Sequence, residues 1–331
     1  MNGFLYGEST NHRSPASAAL RLGRLFTFLP NATSILFTIH RSLFTFFTLL
    51  LFLSACRRND DLDARIRAEI QPFKGKVWIY AKNLDTGKTY SLDGDLRVRT
   101  ASTIKLAIMV EAFARVAEGR AHWSDEIIMT KEKKQPDGGV LQELADGTRL
   151  TLRDVVNLMI VVSDNTGANL ALDFLTADAV NARMDSLGLK STRSLRKIGG
   201  GGESKAYGDP VNKGFGIGVS TPHEMVSLME KLEHGEIVSP EVSREMIALL
   251  KRQQYHLGIG RSLNSVEIEI ASKFGSLDAL RSDVGIIYSK RGPIAMAITC
   301  DQMPEVDWTE DNPAYHLMSD LSNILIDGLG R

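Results

Sequence analysis

Residues 102–118 read STIKLAIMVEAFARVAE, and Ile104, Leu106, Ile108, Met109, Val110, Phe113 and Val116 run nearly all round a helical wheel. A helix that is apolar on every side is buried rather than laid on a surface. The stretch is therefore predicted as a central helix with Ser102 at its opening. Upstream, residues 61–70 (DLDARIRAEI) read as a short helix and 76–84 alternate as a strand, and Asp85-Thr86-Gly87 turns the chain into a second strand over 88–92. Downstream, an apolar helix over 150–162 is followed by helices over 166–175, 177–187 and, after Thr221-Pro222, 223–232. A long polar loop separates Lys190 from Ser220. Beyond Glu267 the pattern changes to strands over 267–274, 283–289 and 294–300, then a last helix over 313–329. The expected fold class is α/β (α+β): an antiparallel sheet flanked by helices and built from both ends of the chain (60–100 and 266–331). An all-helical subdomain (101–265) is inserted in it, with a cleft where the layers meet.

The chain has 331 residues, 43% apolar and 24% charged, enough to bury a sizeable core and too apolar for a disordered or collagen-like protein. With 39 Lys plus Arg against 40 Asp plus Glu and no strongly basic segment, nucleic acid is not expected as a partner. The two cysteines, Cys56 and Cys300, lie far apart and no disulfide is expected.

The first 55 residues read as an address. Leu43–Leu53 is LFTFFTLLLFL, preceded by His40 and Arg41 and closed by Ser54-Ala55-Cys56, the charged and apolar regions of a signal peptide. The uncharged run from Ser42 ends at Arg57, short of the roughly 20 residues a membrane-spanning helix needs; a single anchor helix is the other reading. Leu53-Ser54-Ala55-Cys56 resembles the bacterial lipoprotein box, which implies cleavage before Cys56, lipidation of its thiol, and a protein tethered to a membrane in the periplasm or at the cell surface. Residues 56–331 then form a single catalytic domain, expected as a monomer, with 35 basic and 39 acidic residues.

Several motifs carry little. Gly87-Lys88-Thr89 lacks the upstream glycine of a phosphate loop, no Gly-x-Ser-x-Gly elbow occurs, and Gly199–Gly202 neither follows a strand nor opens a helix. His122, His223, His234 and His256 have no partner at metal-ligand spacing. Ser102-Thr103-Ile104-Lys105 is different. Residues three apart on a helix share a face, which brings an ammonium to the hydroxyl at the mouth of a buried helix, where desolvation lowers a lysine's pKa. The same spelling at Ser194–Lys197 lies in the polar loop.

Ser163-Asp164-Asn165 follows at the end of an apolar helix, and Lys273-Phe274-Gly275-Ser276 on a strand. Ser-x-x-Lys, Ser-Asp-Asn and Lys-x-Gly, in this order on helix, loop and strand, resemble the class A β-lactamases and their penicillin-recognising relatives. The resemblance extends through Leu158–Asn169, Ser220-Thr221-Pro222 and Arg281–Ile286 and covers nearly all of residues 60–331. It implies that Ser102 attacks an amide carbonyl, that Lys105 takes its proton, and that an acyl-enzyme forms. It also implies that Ser163 relays a proton to the leaving nitrogen, that Asn165 braces Lys105 and substrate, and that Lys273 binds a substrate carboxylate and keeps Lys105 partly neutral. The N–H groups of Ser102 and Ser276, beside Gly275, would form the oxyanion hole, and Arg281 is a possible second carboxylate anchor. Asn165 could instead cap the next helix, and Arg281 could be a surface charge.

Two departures stand out. The family's Arg-x-Glu-Pro segment, whose glutamate activates the water that releases the acyl group, is Arg196-Lys197-Ile198-Gly199 here. Glu203 is the nearest substitute, or else a solvated loop glutamate. Phe274 replaces a residue whose hydroxyl bonds the substrate carboxylate, and Ser276 is the expected substitute for it. The leading expectation is a lipid-anchored serine β-lactamase-like hydrolase, with no metal or organic cofactor, acting on a β-lactam or a peptidoglycan stem peptide. A D-Ala-D-Ala carboxypeptidase or penicillin-binding relative with slow deacylation is the alternative; a noncatalytic wall-binding lipoprotein is the third.

Overall fold

The computed structural model describes residues 61–263 and 266–330; the leader and Cys56 lie outside them. The chain opens on α1 (61–70), followed by β1 (Lys76–Asn83) and β2 (Thr89–Leu92). In β1, Val77, Ile79, Ala81 and Asn83 alternate as the buried face, the period-2 pattern of a strand with unequal faces. At the far end come β8 (Glu269–Leu277), β9 (Leu280–Ser289), β10 (Gly292–Asp301) and α8 (Pro313–Leu329). These join β1 and β2 in one antiparallel sheet of order β2-β1-β10-β9-β8, as the two apolar ends of the sequence imply. The inner strands β9 and β10 are buried along most of their length, because both sheet faces are covered.

One face packs on α1 and α8 through Leu62, Ile66, Leu317, Leu321 and Leu325. The other faces the helical part of the chain through Ala271, Val284, Ile286, Ala295 and Ala297. At the heart of that part lies α2 (Lys105–Ala117), buried from Lys105 to Ala114. Around it stand α3 (Leu152–Val161), α4 (Asn165–Leu175), α5 (Ala177–Ser186), α6 (Pro222–Glu233) and α7 (Pro240–Leu250). Their starts follow local chemistry: Thr151 and Asp154 close a reciprocal capping box on α3, and Thr221-Pro222 and Ser239-Pro240 each place a hydroxyl cap before a first-turn proline.

The inserted part is not helical throughout. Short strands β3 (Val98–Arg99), β6 (Arg193–Ser194) and β7 (Gly218–Ser220) form a small sheet, and β4 (Glu126–Ile128) pairs with β5 (Arg149–Thr151). The polar stretch from Lys190 to Ser220 is thus tied down at both ends by main-chain ladders too short to show a periodicity. Among the described residues no helix is long and apolar enough to cross a membrane.

Candidate active site

Three elements meet at a cavity of about 670 Å³. A 3-10 turn at Ala101–Ile104 leads directly into α2, so Ser102 lies at the cavity and Lys105 one turn deeper, fully buried. The loop from α3 to α4 brings Ser163, and the edge strand β8 brings Lys273 to Ser276. Ala101 and Ser163 hold positive φ of 47° and 54°, conformations that cost non-glycine residues free energy and persist where surrounding structure enforces them. Gly275 explains how β8 comes so close: a Cβ there would lie 2.8 Å from the Ser102 nitrogen and 2.8 Å from the Thr100 oxygen. Only glycine lets the strand lie against the serine's own turn.

Two buried lysines converge on Ser163. The Lys105 Nζ donates to the Ser163 carbonyl oxygen at 2.7 Å and to Asn165 Oδ1 at 2.8 Å, with Ser163 Oγ at 3.3 Å. The Lys273 Nζ donates to Ser163 Oγ at 2.8 Å and to the Phe274 carbonyl at 2.7 Å. Burial pulls Lys105 down from 10.5 to about 7, with Asp164 acting in the opposite sense. Burial first and the neighbouring Lys105 second hold Lys273 well below its ordinary value, while Asp283 opposes the shift. The Asp283 carboxyl is itself raised to about 6, chiefly by burial. The site therefore holds an amine near neutrality in a desolvated place, the condition under which a lysine acts as a base at physiological pH.

Asn165 braces Lys105; capping of α4 falls to Asp164, whose Oδ1 accepts from the Gly167 N–H at 2.7 Å. The other Asp164 oxygen accepts from the N–H groups of Val140 and Leu141 at 2.6 and 2.8 Å, and the Asn165 side-chain amide donates to the Asp137 carbonyl. The loop at 137–141 is thereby stapled to the helix start as one wall of the cavity. Gly139 makes this contact possible, with φ +93° and a hypothetical Cβ only 2.1 Å from Asp164 Oδ2. Gly139→Ala is expected to lower the melting temperature by roughly 5 °C. Gly147→Ala, also at positive φ (+84°) but with nothing within 4 Å, should cost distinctly less; equal losses in thermal melts would show that the contact with Asp164 contributes nothing.

A family model described as "Beta-lactamase enzyme family" matches residues 61–329. The chain belongs to the β-lactamase enzyme family. A β-lactamase from Sphaerobacter thermophilus is 30% identical, with a TM-score of 0.71 over 81% of this chain and 96% of that one. A point mutant of PBP-A, solved as an acyl-enzyme complex with penicillin G, is 25% identical with a TM-score of 0.69, over 81% and 96%. A β-lactamase from Xanthomonas campestris, at 19% identity and a TM-score of 0.71 over 82% and 99%, shares the fold. A search of curated proteins finds no match. This family member is a serine β-lactamase-like hydrolase.

Of the two readings of Glu203 the structure supports the solvated loop glutamate, and Arg281 departs from both of its own. Glu203 does not line the cavity; it is exposed and accepts from the Gly201 N–H at 3.1 Å. The loop before it is fixed the other way. Asn169 donates to the Ile198 carbonyl and accepts from the Ile198 N–H, both at 2.9 Å, and the Ile198 side chain packs on the helical core. Arg281 is neither a surface charge nor a substrate anchor. It is fully buried, and its guanidinium donates to the carbonyls of Leu277 (2.5 Å), Leu280 (2.7 Å) and Asp307, between the rings of Trp308 and Tyr315. Its work is to close the β8–β9 turn and hold the segment that presents Trp308. The Ser276 hydroxyl, the expected substitute for the one missing at position 274, is paired with the Tyr315 hydroxyl at 3.0 Å.

The enzyme's cavity also contains residues that sequence reasoning missed: Asp137, Tyr255, Asp278 and Trp308. They come from separate loops and share no motif.

Proposed function

We propose that Ser102 is the nucleophile and that the chain opens β-lactam amides through an acyl-enzyme at this residue. The observation that carries the reading is the Ser163 hydroxyl held between the amino groups of Lys105 and Lys273 at the cavity that Ser102 lines. In this arrangement Lys105, poised near pH 7 one turn from Ser102, accepts its proton. Ser163, whose oxygen accepts from Lys273, is left with a proton to pass to the leaving nitrogen. The N–H groups of Ser102 and Ser276, brought together by the close approach at Gly275, take up the developing oxyanion.

A second reading concerns the fate of the acyl group. No carboxylate of the 196–203 loop reaches the cavity, because Ile198 is turned into the core and Glu203 lies outside. Lys105 is then the base available to activate water, and deacylation is slow relative to acylation, as in a penicillin-binding hydrolase. The test is intact-mass spectrometry of the chain from residue 57 onward, mixed with a chromogenic cephalosporin. An adduct that outlasts the colour burst is expected. Many turnovers without a lasting adduct would remove the slow-deacylation reading, and the absence of both signals would remove the hydrolase reading.

We also propose that the mature chain starts at Cys56 and is tethered through a lipid on that thiol, on the strength of Leu53-Ser54-Ala55-Cys56 after the apolar run. Cys56→Ala should abolish palmitate labelling and release the protein from the membrane fraction. Unchanged labelling and fractionation would leave an uncleaved anchor in its place.

A further inference from the structure

The charge distribution around Ser102 is unusual for a site meant to hold an anion. Lys273, the cation on the edge strand, is fully buried; its Nζ lies 4.3 Å from the centroid of the Phe274 ring and donates to Ser163 and the Phe274 carbonyl. The Phe274 ring, not the ammonium, faces the cavity, and it packs against Tyr255 with ring centroids 4.9 Å apart. Arg281 is screened behind Trp308, with its terminal nitrogens spent on main-chain carbonyls. Among the described residues, the charged side chains that do line the cavity are Asp137 and Asp278, both acidic. A carboxylate brought here would lose water against aromatic rings, find no exposed cation, and meet like charge on the rim.

We infer that Phe274 is a specificity-determining residue that makes this site acylate faster with donors carrying an uncharged group than with donors carrying a carboxylate on the leaving side of the scissile bond, so that penicillins and cephalosporins, which carry that carboxylate, are its slower substrates. The leaving side is the relevant one because Phe274 adjoins Lys273 and Ser163, the groups that serve the departing atom. This inference rests on the proposed acylation of Ser102 and adds to it the class of substrate.

The test compares two thioester acyl donors that differ only in the leaving thiol, mercaptoacetic acid or its methyl ester. Acylation forms the bond from Ser102 Oγ to the acyl carbon and breaks the carbon–sulfur bond; the serine proton passes through Lys105 to the thiolate, so the balance is closed without a further reactant. Taken relative to the ratio of the two donors' rates with free hydroxide, which allows for the methyl ester being the better leaving thiolate, adduct formation followed by mass should be at least about tenfold faster with the methyl ester, and Phe274→Thr, which opens a path to Lys273, should erase or invert that relative preference. Equal relative rates or a relative preference for the carboxylate in the wild-type protein would overturn the inference while leaving Ser102 as nucleophile, and so would a ratio that Phe274→Thr does not change. The wild-type ratio, taken relative to that with hydroxide, decides the matter should the variant fold poorly. No adduct with either donor would instead remove the acylation reading on which the inference stands.

Discussion

Ser102→Ala is expected to abolish the mass adduct with penicillins and to lower cephalosporin turnover by a factor on the order of 10⁴ to 10⁶, the range lost when a catalytic serine is removed from a hydrolase. The size of the loss follows from the site's construction. A serine hydroxyl is a weak nucleophile until a neighbouring base takes its proton, and here the base is held ready whether or not the serine is present. The Lys105 Nζ is anchored by Ser163 and Asn165, and no hydrogen bond from Ser102 supports it. Removal of the hydroxyl should therefore leave the fold and the lysine pair as they are, which a thermal melt within about 1 °C of the wild type would show. Retention of more than about a hundredth of the activity would place the nucleophile elsewhere.

Lys105→Met is expected to slow acylation by roughly 10² to 10⁴, the contribution of a positioned base, and the wild-type pH profile should identify that base. With Lys105 lowered to about 7, the neutral amine prevails above that pH. Acylation should rise about tenfold per unit up to pH 7 and level off above it, and the inflection should vanish in Lys105→Met. The same shift has a sign for stability. In the unfolded chain Lys105 titrates near its ordinary 10.5, so between about pH 7 and 10.5 the unfolded state binds the extra proton and stability increases with pH. The effect of a buried cation is missing in Lys105→Met, whose denaturation midpoint should depend less steeply on pH over that window. A pH-independent acylation rate between 5 and 9 would show that Lys105 is not the base.

Much of this was readable in the residues because each main element announces itself locally. The all-round apolar pattern of 102–118, the alternation in Lys76–Asn83 and the apolar strands after Glu267 come from burial, and burial sets the period. The motif serines and lysines were legible because their spacing on helix, loop and strand is itself the geometry. What escaped had other causes. Helix α7 is announced by Ser239-Pro240 in the same way as α6 by Thr221-Pro222, a signal present but not used. Asp164 bonds main-chain N–H groups of a loop that begins more than twenty residues earlier, and a motif spelled Ser-Asp-Asn does not say where its middle residue points. The misreading of Arg281 has the same origin, since its partners are three carbonyls, and main-chain partners leave no trace in composition. Tyr255 and Trp308 come together through tertiary contacts alone.

The sheet assembled from both ends of the chain has a temporal consequence. Lys76 at the start of β1 pairs with Asp301 at the end of β10, and Asn83 with Ile294, so strands made first wait for strands made last. The helical part lies wholly before those last strands in the chain, and closure of the sheet over it is a long loop closure with a slow step of its own. Ser102 sits on the early side of that divide and Gly275, which presses the edge strand onto its turn, on the late side. A chain that already holds its serine and Lys105 is still without a working site, because Lys273 and the N–H of Ser276 arrive only with the carboxyl-terminal strands.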